Sequence, residues 1–293
     1  DVVNVVGNVA DPDGVASLTY SLNGGPPRAL SLGPDTRRLE YPGDFNAEVP
    51  VADLAPGVNQ VVLRAADTTG AVAQTTVTVN RTVGATWPLP YTLDWATKAA
   101  DAQVVDGKWS FSAAGARSDT PGYDRLIAIG DRAWSDYEVR VPVTVHSVDK
   151  ANGYPFPSNG PVVGLGLRWQ GHTQVGAEQP RMGFFPAGAY AWYRWRPDGT
   201  ERFEMDTQNI PYTDRVTNPA QIQVGTQYMM VMRVTTQATG HGRYQFRMWP
   251  ADQPEPTTWT VQNDAVMDLD SGSVLLIAHH VDATFGDVTI NPL

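Results

Sequence analysis

The sequence predicts an all-β protein made of two sandwich-like domains. Short stretches rich in Val, Thr, Tyr and Phe alternate with polar residues at a spacing of two, which is the period of a β-strand. Gly, Pro, Asn and Asp interrupt these stretches at regular intervals, as turns do. No segment shows the 3.6-residue apolar period of an amphipathic helix. Strands therefore account for the regular structure that we expect.

A change of composition divides the 293 residues into two parts. All nine Trp, all seven Met and all five His lie beyond residue 86. Gly and Pro interrupt the strand pattern between Asn80 and Pro90, so we predict a boundary there. The expected domains are residues 1–83 and 84–293, and each is long enough to bury a core of its own.

Charge and composition exclude several classes of function. The formal net charge of −10 argues against nucleic acid as a partner, because phosphate backbones are bound by basic surfaces. No run of apolar residues is long enough to predict a membrane span. The absence of cysteine excludes disulfides and thiolate chemistry and fits a bacterial protein that is secreted or displayed at the cell surface. The chain begins within a predicted strand, so any leader peptide is expected to have been removed already or never to have been present.

The first domain is predicted to consist of short strands joined by tight turns. Asn23, Gly24 and Gly25 form a hairpin turn, because Asn and Gly accept a positive φ at little cost. The predicted strands are Val3–Val9, Ser17–Asn23, Asn46–Val51, Asn59–Asp67 and Ala71–Asn80.

Three motifs in this domain resemble the bacterial immunoglobulin-like domains of secreted glycosidases and adhesins. They are GNVADPDG at Gly7–Gly14, SLNGG at Ser21–Gly25 and LAPGVNQVVLRAADTTG at Leu54–Gly70. The resemblance implies a β-sandwich spacer. A strand usually precedes the first motif in that family, and almost nothing does here, so the sandwich is expected to lack its first strand. Either the chain is cut at this point, or another copy or another segment donates the strand. Donation by another copy would make the domain self-associate, as in an extracellular fibre.

The second domain is again predicted to be all-β. A dozen strands in some 200 residues predict a jelly roll of two sheets. The predicted strands are Gln103–Ser112, Arg125–Ile129, Tyr137–Val145, Val162–Gln170, Met182–Ala187, Tyr190–Arg196, Arg202–Asp206, Tyr228–Thr235, Arg243–Trp249, Thr258–Gln262, Ser273–His279 and Phe285–Ile290.

Several of these strands resemble concanavalin-like and laminin-G-like jelly-roll domains. The similar segments are Ser135–Val139 (SDYEV), Tyr228–Arg233, and the closing pair Gly272–Ala278 and Ala283–Val288. The resemblance spans Tyr91–Leu293. It implies the fold and leaves the activity open, because that fold hosts lectins, other binding modules, hydrolases and lyases.

The stretch Gly164–Asp206 contains the candidate site. Residues two apart on a strand share a face. One side is expected to present Arg168, Gln170 and His172, with Leu167 and Trp169 on the other. The next rows are Tyr190, Trp192, Arg194 and Arg196, and then Arg202, Glu204 and Asp206 opposite Phe203 and Met205. Such a face would suit a polar ligand with flat surfaces, as a sugar chain is.

The favoured function is therefore non-catalytic binding of a polysaccharide or glycoconjugate, as part of a larger extracellular protein. Trp192, Tyr190 or Trp195 would stack on pyranose faces. Charged and polar side chains would bind hydroxyls or carboxylates. The predicted ligand-binding residues are Arg168, Gln170, His172, Tyr190, Trp192, Arg194, Glu204 and Asp206.

Two enzymatic alternatives use the same stretch. Concanavalin-like glycosidases carry E-x-D-x-x-E, and here Glu204 and Asp206 are followed by Asn209, so the proton donor of that pattern is missing. Jelly-roll polysaccharide lyases use Arg to neutralise a uronate carboxylate and His or Tyr to move the proton. The resemblance to that set makes Arg168, His172 and Tyr190 the catalytic candidates for an acidic glycan.

Metal ligands are limited to oxygen donors. His279 and His280 are neighbours on a predicted strand and point to opposite faces, so a transition-metal site is not expected, and at most one of them reaches the site. Jelly rolls of this kind often hold a structural Ca²⁺, and Asp94 and Asp287 resemble its ligands. The turn Asp11–Gly14 is a weaker candidate for the same ion. The alternative for each carboxylate is a capped turn.

Overall fold

The computed structural model describes residues 2–35, 37–84, 87–154, 159–171, 186–207, 210–217, 219–265 and 269–293. Over these residues the chain is all-β, as predicted, apart from a short α-helix, α1 (Trp95–Lys98), and 3-10 turns at Val51–Asp53 and Ala99–Asp101. The described residues divide into two compact units, one that ends before residue 87 and one that begins at Trp87. In the described ranges, no helix is long and apolar enough to cross a membrane.

The first unit contains six strands in its described residues. They are β1 (Val2–Asn8), β2 (Val15–Leu22), β3 (Arg28–Ala29), β4 (Asp44–Pro50), β5 (Gly57–Asp67) and β6 (Val72–Arg81). β1 pairs with β4 in a two-stranded antiparallel sheet, and the other four form a sheet in the order β3-β2-β5-β6. Both sheets contribute alternate residues to one apolar cluster, including Phe45 and Val49 from the first sheet and Tyr20 and Leu63 from the second. Two strands thus face four, and the missing first strand stays a prediction.

The second unit contains the remaining strands. They are β7 (Tyr91–Leu93), β8 (Gln103–Asp106), β9 (Ser110–Ser112), β10 (Gly115–Arg117), β11 (Arg125–Ile129), β12 (Tyr137–Val148), β13 (Val162–Trp169), β14 (Ala189–Arg194), β15 (Arg202–Thr207), β16 (Ile210–Thr217), β17 (Gln227–Thr236), β18 (Gly242–Pro250), β19 (Val261–Asp264), β20 (Ser273–His279), β21 (Val281–Phe285) and β22 (Val288–Pro292).

These strands form two antiparallel sheets. Within the described residues, one sheet has seven strands in the order β16-β15-β14-β13-β20-β11-β8. The other has nine, in the order β19-β18-β17-β12-β21-β10-β9, with β22 beside β12 and β7 beside β22. Leu165 and Phe203 of the seven-stranded sheet belong to the same buried cluster as Val141 and Phe246 of the nine-stranded sheet, so the core lies between the sheets. This is the two-sheet sandwich that the alternation predicted.

The seven-stranded sheet also buries its other face, which we call the outer face. A second cluster of buried side chains covers it, and these residues alternate with those of the main core. Its members are Val105, Leu126, Ala128, Val162, Trp169, Ala187, Tyr190, Trp192, Leu275 and Ile277. A sheet with both faces buried has long buried runs, as in β13 and β20.

Some predicted elements differ from the structure. The single strand expected over Gln103–Ser112 is divided into β8 and β9, because Gly107 adopts a φ of 81°, a conformation that ends a strand. The strand expected at Met182–Ala187 lies mostly outside the described residues, and its described end, from residue 186, is not a strand.

Candidate functional site

The outer face of the seven-stranded sheet brings together five of the predicted site residues. In the antiparallel pairing of β14 with β15, Tyr190 lies opposite Asp206 and Trp192 lies opposite Glu204. Arg194 is two residues further along the same face of β14. Phe203 and Met205 point into the main core, as predicted. The alternation in the sequence therefore places Tyr190, Trp192, Arg194, Glu204 and Asp206 correctly on one face.

Two glycines of β13 make room for the aromatic rings. Gly166 lies opposite Tyr190, and Gly164 lies opposite Trp192. A Cβ atom at Gly166 would lie 2.9 Å from Cδ1 of Tyr190, and one at Gly164 would lie 2.6 Å from Cβ of Trp192. Any larger residue would push the rings away from the sheet. The G-L-G pattern is the sequence signal for this packing, and the prediction from strand alternation missed it.

Glu204 is the hub of the polar contacts on this face. Its Oε2 accepts a hydrogen bond from Nε of Arg194 at 2.6 Å and one from Nε1 of Trp192 at 3.2 Å. The guanidinium of Arg194 also donates to the carbonyl of Gly160 and lies 5.1 Å from the centroid of the Trp192 ring. Glu204 and Arg194 are both buried, so this ion pair is charge-compensated within the protein.

Burial and neighbouring charges change the acidity of two groups here. Burial raises the pKa of Asp206 to about 6, the charge of Arg194 opposes the rise, and the charge of Glu204 adds to it. Burial raises the pKa of Tyr190 well above its usual range, and the charges of Asp206 and Asp124 act in the same direction. Tyr190 is therefore a protonated hydrogen-bond donor at neutral pH and a poor base.

The aromatic rings do not present open faces for stacking. Tyr190 and Trp192 have relative exposures of 1% and 6%, and their rings are nearly parallel, with centroids 5.9 Å apart. Trp195 belongs to the main core between the sheets. The predicted stacking of a pyranose on these rings is therefore wrong for this conformation, because all three rings are buried.

Arg168 lies away from this group. Its side chain is fully buried, and its guanidinium lies 5.9 Å from the ring of Tyr244, a residue of the core between the sheets. The register of β13 shifts between Gly166 and Trp169, and Arg168 has a φ of 54°. Leu167 lies in the main core with Val163 and Leu165, and the irregularity after it brings Trp169 to the outer face. The prediction that Leu167 and Trp169 share a face opposite Arg168 is therefore wrong.

Arg168 instead ties together the ends of several strands. Its Nη1 donates to the carbonyl of Leu269 at 2.7 Å, and its Nη2 donates to Oγ1 of Thr236 at 2.7 Å. It also contacts the carbonyl of Ser135 and the carboxylate of Asp136. A guanidinium held by this many internal acceptors is a structural anchor, so we remove Arg168 from the ligand-binding and catalytic candidates.

The two other polar candidates of this strand do not join the group in the described structure. Nε2 of Gln170 donates to the carbonyl of Ser271 and contacts that of Arg132, beyond the end of β13. His172 and Asn209 lie outside the described residues. The ligand-binding and catalytic roles of His172 stay predictions.

An acid–histidine pair completes the outer face. His279 follows Leu275 and Ile277 on the same face of β20 and lies opposite Val162 of β13. Its Nδ1 is 2.9 Å from Oδ1 of Asp124 and also accepts from the backbone N–H of Asp124 at 3.1 Å. Asp124 is 155 residues away in the chain, and the sequence pattern contains no signal for the contact.

His280 lies beside this pair. The rings of His279 and His280 are 4.6 Å apart, because His280 leaves the strand with a φ of 54°. Burial lowers the pKa of His280 to about 4, and the charge of His279 adds to this effect. The alternation of side-chain faces therefore does not extend to His280, although His279 reaches the site as predicted for one member of the pair.

Asp94 and Asp287 both contact the start of α1. Oδ1 of Asp94 accepts from the backbone N–H of Ala96, and Oδ1 of Asp287 accepts from that of Trp95. They act as caps for orphan N–H groups. Ca²⁺ requires about six to eight oxygen ligands, and these carboxylates supply only part of such a set. In the described ranges, the one group of three acidic or histidine ligands is Asp11, Asp13 and Asp67, whose oxygens lie within 4.8 Å of one another. Calcium stays a prediction.

Comparison with known proteins gives structural neighbours and no sequence relatives. No protein-family model matches the chain, and no curated protein matches it in sequence. The Ca²⁺-bound exoplasmic/lumenal domain of VIP36 is 13% identical, with a TM-score of 0.42, and the match covers 66% of this chain and 83% of that one.

Two further solved structures are similar at the same level. An alginate lyase mutant in complex with an alginate trisaccharide is 13% identical, covers 70% of this chain and 100% of that one, and has a TM-score of 0.40. A legume lectin-like domain from Entamoeba histolytica is 8% identical, covers 67% and 91%, and has a TM-score of 0.37. The two-sheet sandwich assignment itself rests on the strand pairing described above, and these similarities carry no functional argument.

Proposed function

We propose that the chain binds a polysaccharide at the polar part of the outer face. The observation that carries the proposal is the set of hydrogen bonds at Glu204, which accepts from Arg194 and Trp192. Glu204 lies on β15 between Arg202 and Asp206, which are both half-buried. Parts of both side chains are therefore accessible to ligand hydroxyls, which donate to a carboxylate and accept from a guanidinium.

The face carries no surplus of positive charge, which favours a neutral glycan over an acidic one. Asp124, Glu204 and Asp206 contribute carboxylates, while Arg194, Arg202 and Arg215, which lies opposite Glu204 on β16, contribute guanidinium groups. Arg194 is already paired with Glu204. Sugar hydroxyls both donate and accept hydrogen bonds, so they can use Asp206 and Arg202 together. The buried rings of Tyr190 and Trp192 support these groups from the sheet.

Binding to a panel of polysaccharides by affinity electrophoresis tests this proposal. We expect retardation by at least one neutral polysaccharide and weaker retardation by uronate-rich ones. Arg202→Met should abolish the retardation, while Arg243→Met should retain it. Arg243 is a suitable control because it is an exposed strand arginine paired with Asp264 on the other sheet. No retardation by any polysaccharide, or equal loss in both variants, would contradict the proposal.

A polysaccharide lyase is the second candidate, and the His279–Asp124 pair favours it. His279, oriented by Asp124, would remove the proton next to a uronate carboxylate as the C–O bond to the neighbouring sugar breaks. Tyr190 is buried, so the departing oxygen would take its proton from water. Arg168 would not neutralise the uronate carboxylate in this lyase mechanism, because its side chain is buried in the main core.

The ultraviolet absorbance of an unsaturated uronate product tests the lyase. Incubation with acidic polysaccharides should produce that absorbance in the wild-type chain and in His146→Ala, and not in His279→Ala. His146 is a suitable control because it bonds Thr284 on the nine-stranded sheet. No absorbance with the wild-type chain on any acidic polysaccharide removes this candidate.

We also infer that the protein works outside the cell or at its surface, where polysaccharides are found. The absence of cysteine supports this inference, because a chain without thiols needs no control of its redox state. The first unit would then act as a spacer of the immunoglobulin-like kind, as its motifs imply. A folded fragment of the second unit alone that binds the same polysaccharide would support that division of roles.

A further inference from the structure

The last strand of the first unit, β6, is an unusual sheet edge. It pairs with β5 over its whole length, from Val72 opposite Ala66 to Arg81 opposite Gly57, with no shift of register. It is the last strand in the order β3-β2-β5-β6, so no described strand pairs with its other side. Within the described residues, no strand therefore bonds to its outward backbone N–H and C=O groups.

β6 lacks the features by which native proteins protect such edges. Protection comes from short strands, charged side chains, proline and bulges. The opposite edge of the same sheet, β3, has only two residues, and one of them is Arg28. β6 has ten residues, and from Val72 to Asn80 it contains no charge, proline or glycine. Every residue of β6 is exposed or only half-buried.

The inner side of β6 is also incompletely covered. Val77 and Val79 pack against the core of the first unit but stay half-buried, and Val72 is 50% exposed. The facing sheet has only the two strands β1 and β4. At about 4.8 Å per strand, two strands span roughly half the width of the four that they face.

We propose that β6 pairs with β6 of a second copy of this chain, antiparallel and about a two-fold axis, to give a continuous sheet across a dimer. The uncharged stretch pairs with itself without opposing like charges. The ends of the strand are complementary. Asp67, close to Asp11 and Asp13, ends β5 beside the start of β6, and Arg81 ends β6, where its Nη1 also donates to the carbonyl of Leu54. Antiparallel pairing therefore places the basic end of each copy beside the acidic end of the other.

This pairing is independent of the polysaccharide proposal, since it uses only the first unit. Sedimentation velocity of the full chain over a wide concentration range should show a shift from 31.8 kDa towards twice that mass. A chain that stays at 31.8 kDa at the highest concentration overturns the proposal.

Two lysine variants separate edge pairing from a general effect of charge. Thr78 on β6 and Gln60 on β5 lie directly opposite each other and are both exposed. Thr78→Lys places new positive charges across the paired edge, and we expect it to weaken dimerisation by at least about tenfold. Gln60→Lys adds the same charge on an inner strand and should leave dimerisation nearly unchanged. Equal weakening by both variants overturns the proposal.

The cysteine-free chain permits a direct test of the pairing itself. A Thr76→Cys/Thr78→Cys double variant should form a disulfide-linked dimer under mild oxidation, because the two-fold pairing places these positions near each other across the axis. Gln60→Cys is the control on the inner strand. Cross-linking of β6 that is no faster than that of Gln60→Cys contradicts β6 pairing even if a dimer is present.

Discussion

Replacement of Arg168 by methionine distinguishes the structure from the simple alternation of strand faces. Alternation predicts a ligand-binding arginine, whose loss would weaken binding and leave stability almost unchanged. The structure instead shows a fully buried guanidinium that donates to the carbonyls of Leu269 and Ser135 and to Thr236. Arg168→Met fills much of the same space but donates no hydrogen bond, so these acceptors lose their partner.

The size of the effect follows from those contacts. The guanidinium serves two carbonyls and a hydroxyl, and a buried acceptor without a partner costs about 1–3 kcal/mol. Asp136 is partly exposed, so the ion pair itself adds little. Because the acceptors are only partly buried, we expect Arg168→Met to lower the free energy of unfolding of the second unit by about 3–5 kcal/mol. With an m-value of about 2 kcal/mol/M in urea, the midpoint should fall by about 1.5–2.5 M.

Urea denaturation followed by tryptophan fluorescence is the assay. It reports on the second unit alone, because all nine Trp lie beyond residue 86. Arg243→Met is the control, since Arg243 and Asp264 form an exposed pair and the midpoint should hardly move. A wild-type midpoint for Arg168→Met combined with lost polysaccharide binding would refute the assignment of Arg168 as an anchor.

Three further predictions follow from the site. The pKa of Asp206 is about 6 in the folded protein against an ordinary 3.8, so its contribution to stability falls as pH rises through that interval. The pKa of His280 is about 4 in the folded protein against an ordinary 6.5, so its contribution to stability rises with pH. Relative to the wild-type chain, the urea midpoint of Asp206→Asn should therefore rise with pH, and that of His280→Gln should fall. Variant and wild-type midpoints that change in parallel with pH would contradict the two pKa shifts. Gly164→Ala places a Cβ 2.2 Å from a backbone oxygen of β14 and should lower stability by about 1–3 kcal/mol in the same denaturation assay. If Asp94 and Asp287 bind Ca²⁺, the thermal midpoint of the wild-type chain should be higher in calcium than in EDTA. The midpoint of Asp94→Asn, which keeps the helix cap, should be the same in both. Equal midpoints for the wild-type chain would mean that both carboxylates act only as caps.

Strand alternation predicts much of this protein because a side chain's face depends only on local geometry. The pattern in Tyr190, Trp192, Glu204 and Asp206 is regular, and the structure places these residues on one face, opposite Phe203 and Met205 in the main core. The same local rule predicts an all-β chain, and the two sheets of the second unit confirm it.

Local rules fail where the backbone departs from the regular strand. A single irregularity at Arg168 moves that side chain into the main core and brings Trp169 to the outer face. His280 leaves its strand in the same way and comes to lie beside His279. Such departures depend on how neighbouring elements pack around the strand, so the alternation of residue types does not predict them.

By itself, the sequence determined the class of fold, the change of character near residue 86 and the face on which the aromatic and acidic side chains of β14 and β15 lie. Only the tertiary structure decided that this face is largely buried, that Arg168 is excluded from it, and that Asp124 joins His279 from 155 residues away. The physical reason is range, because strand geometry acts between neighbours in the chain, whereas burial and ion pairing depend on which distant strands pack together.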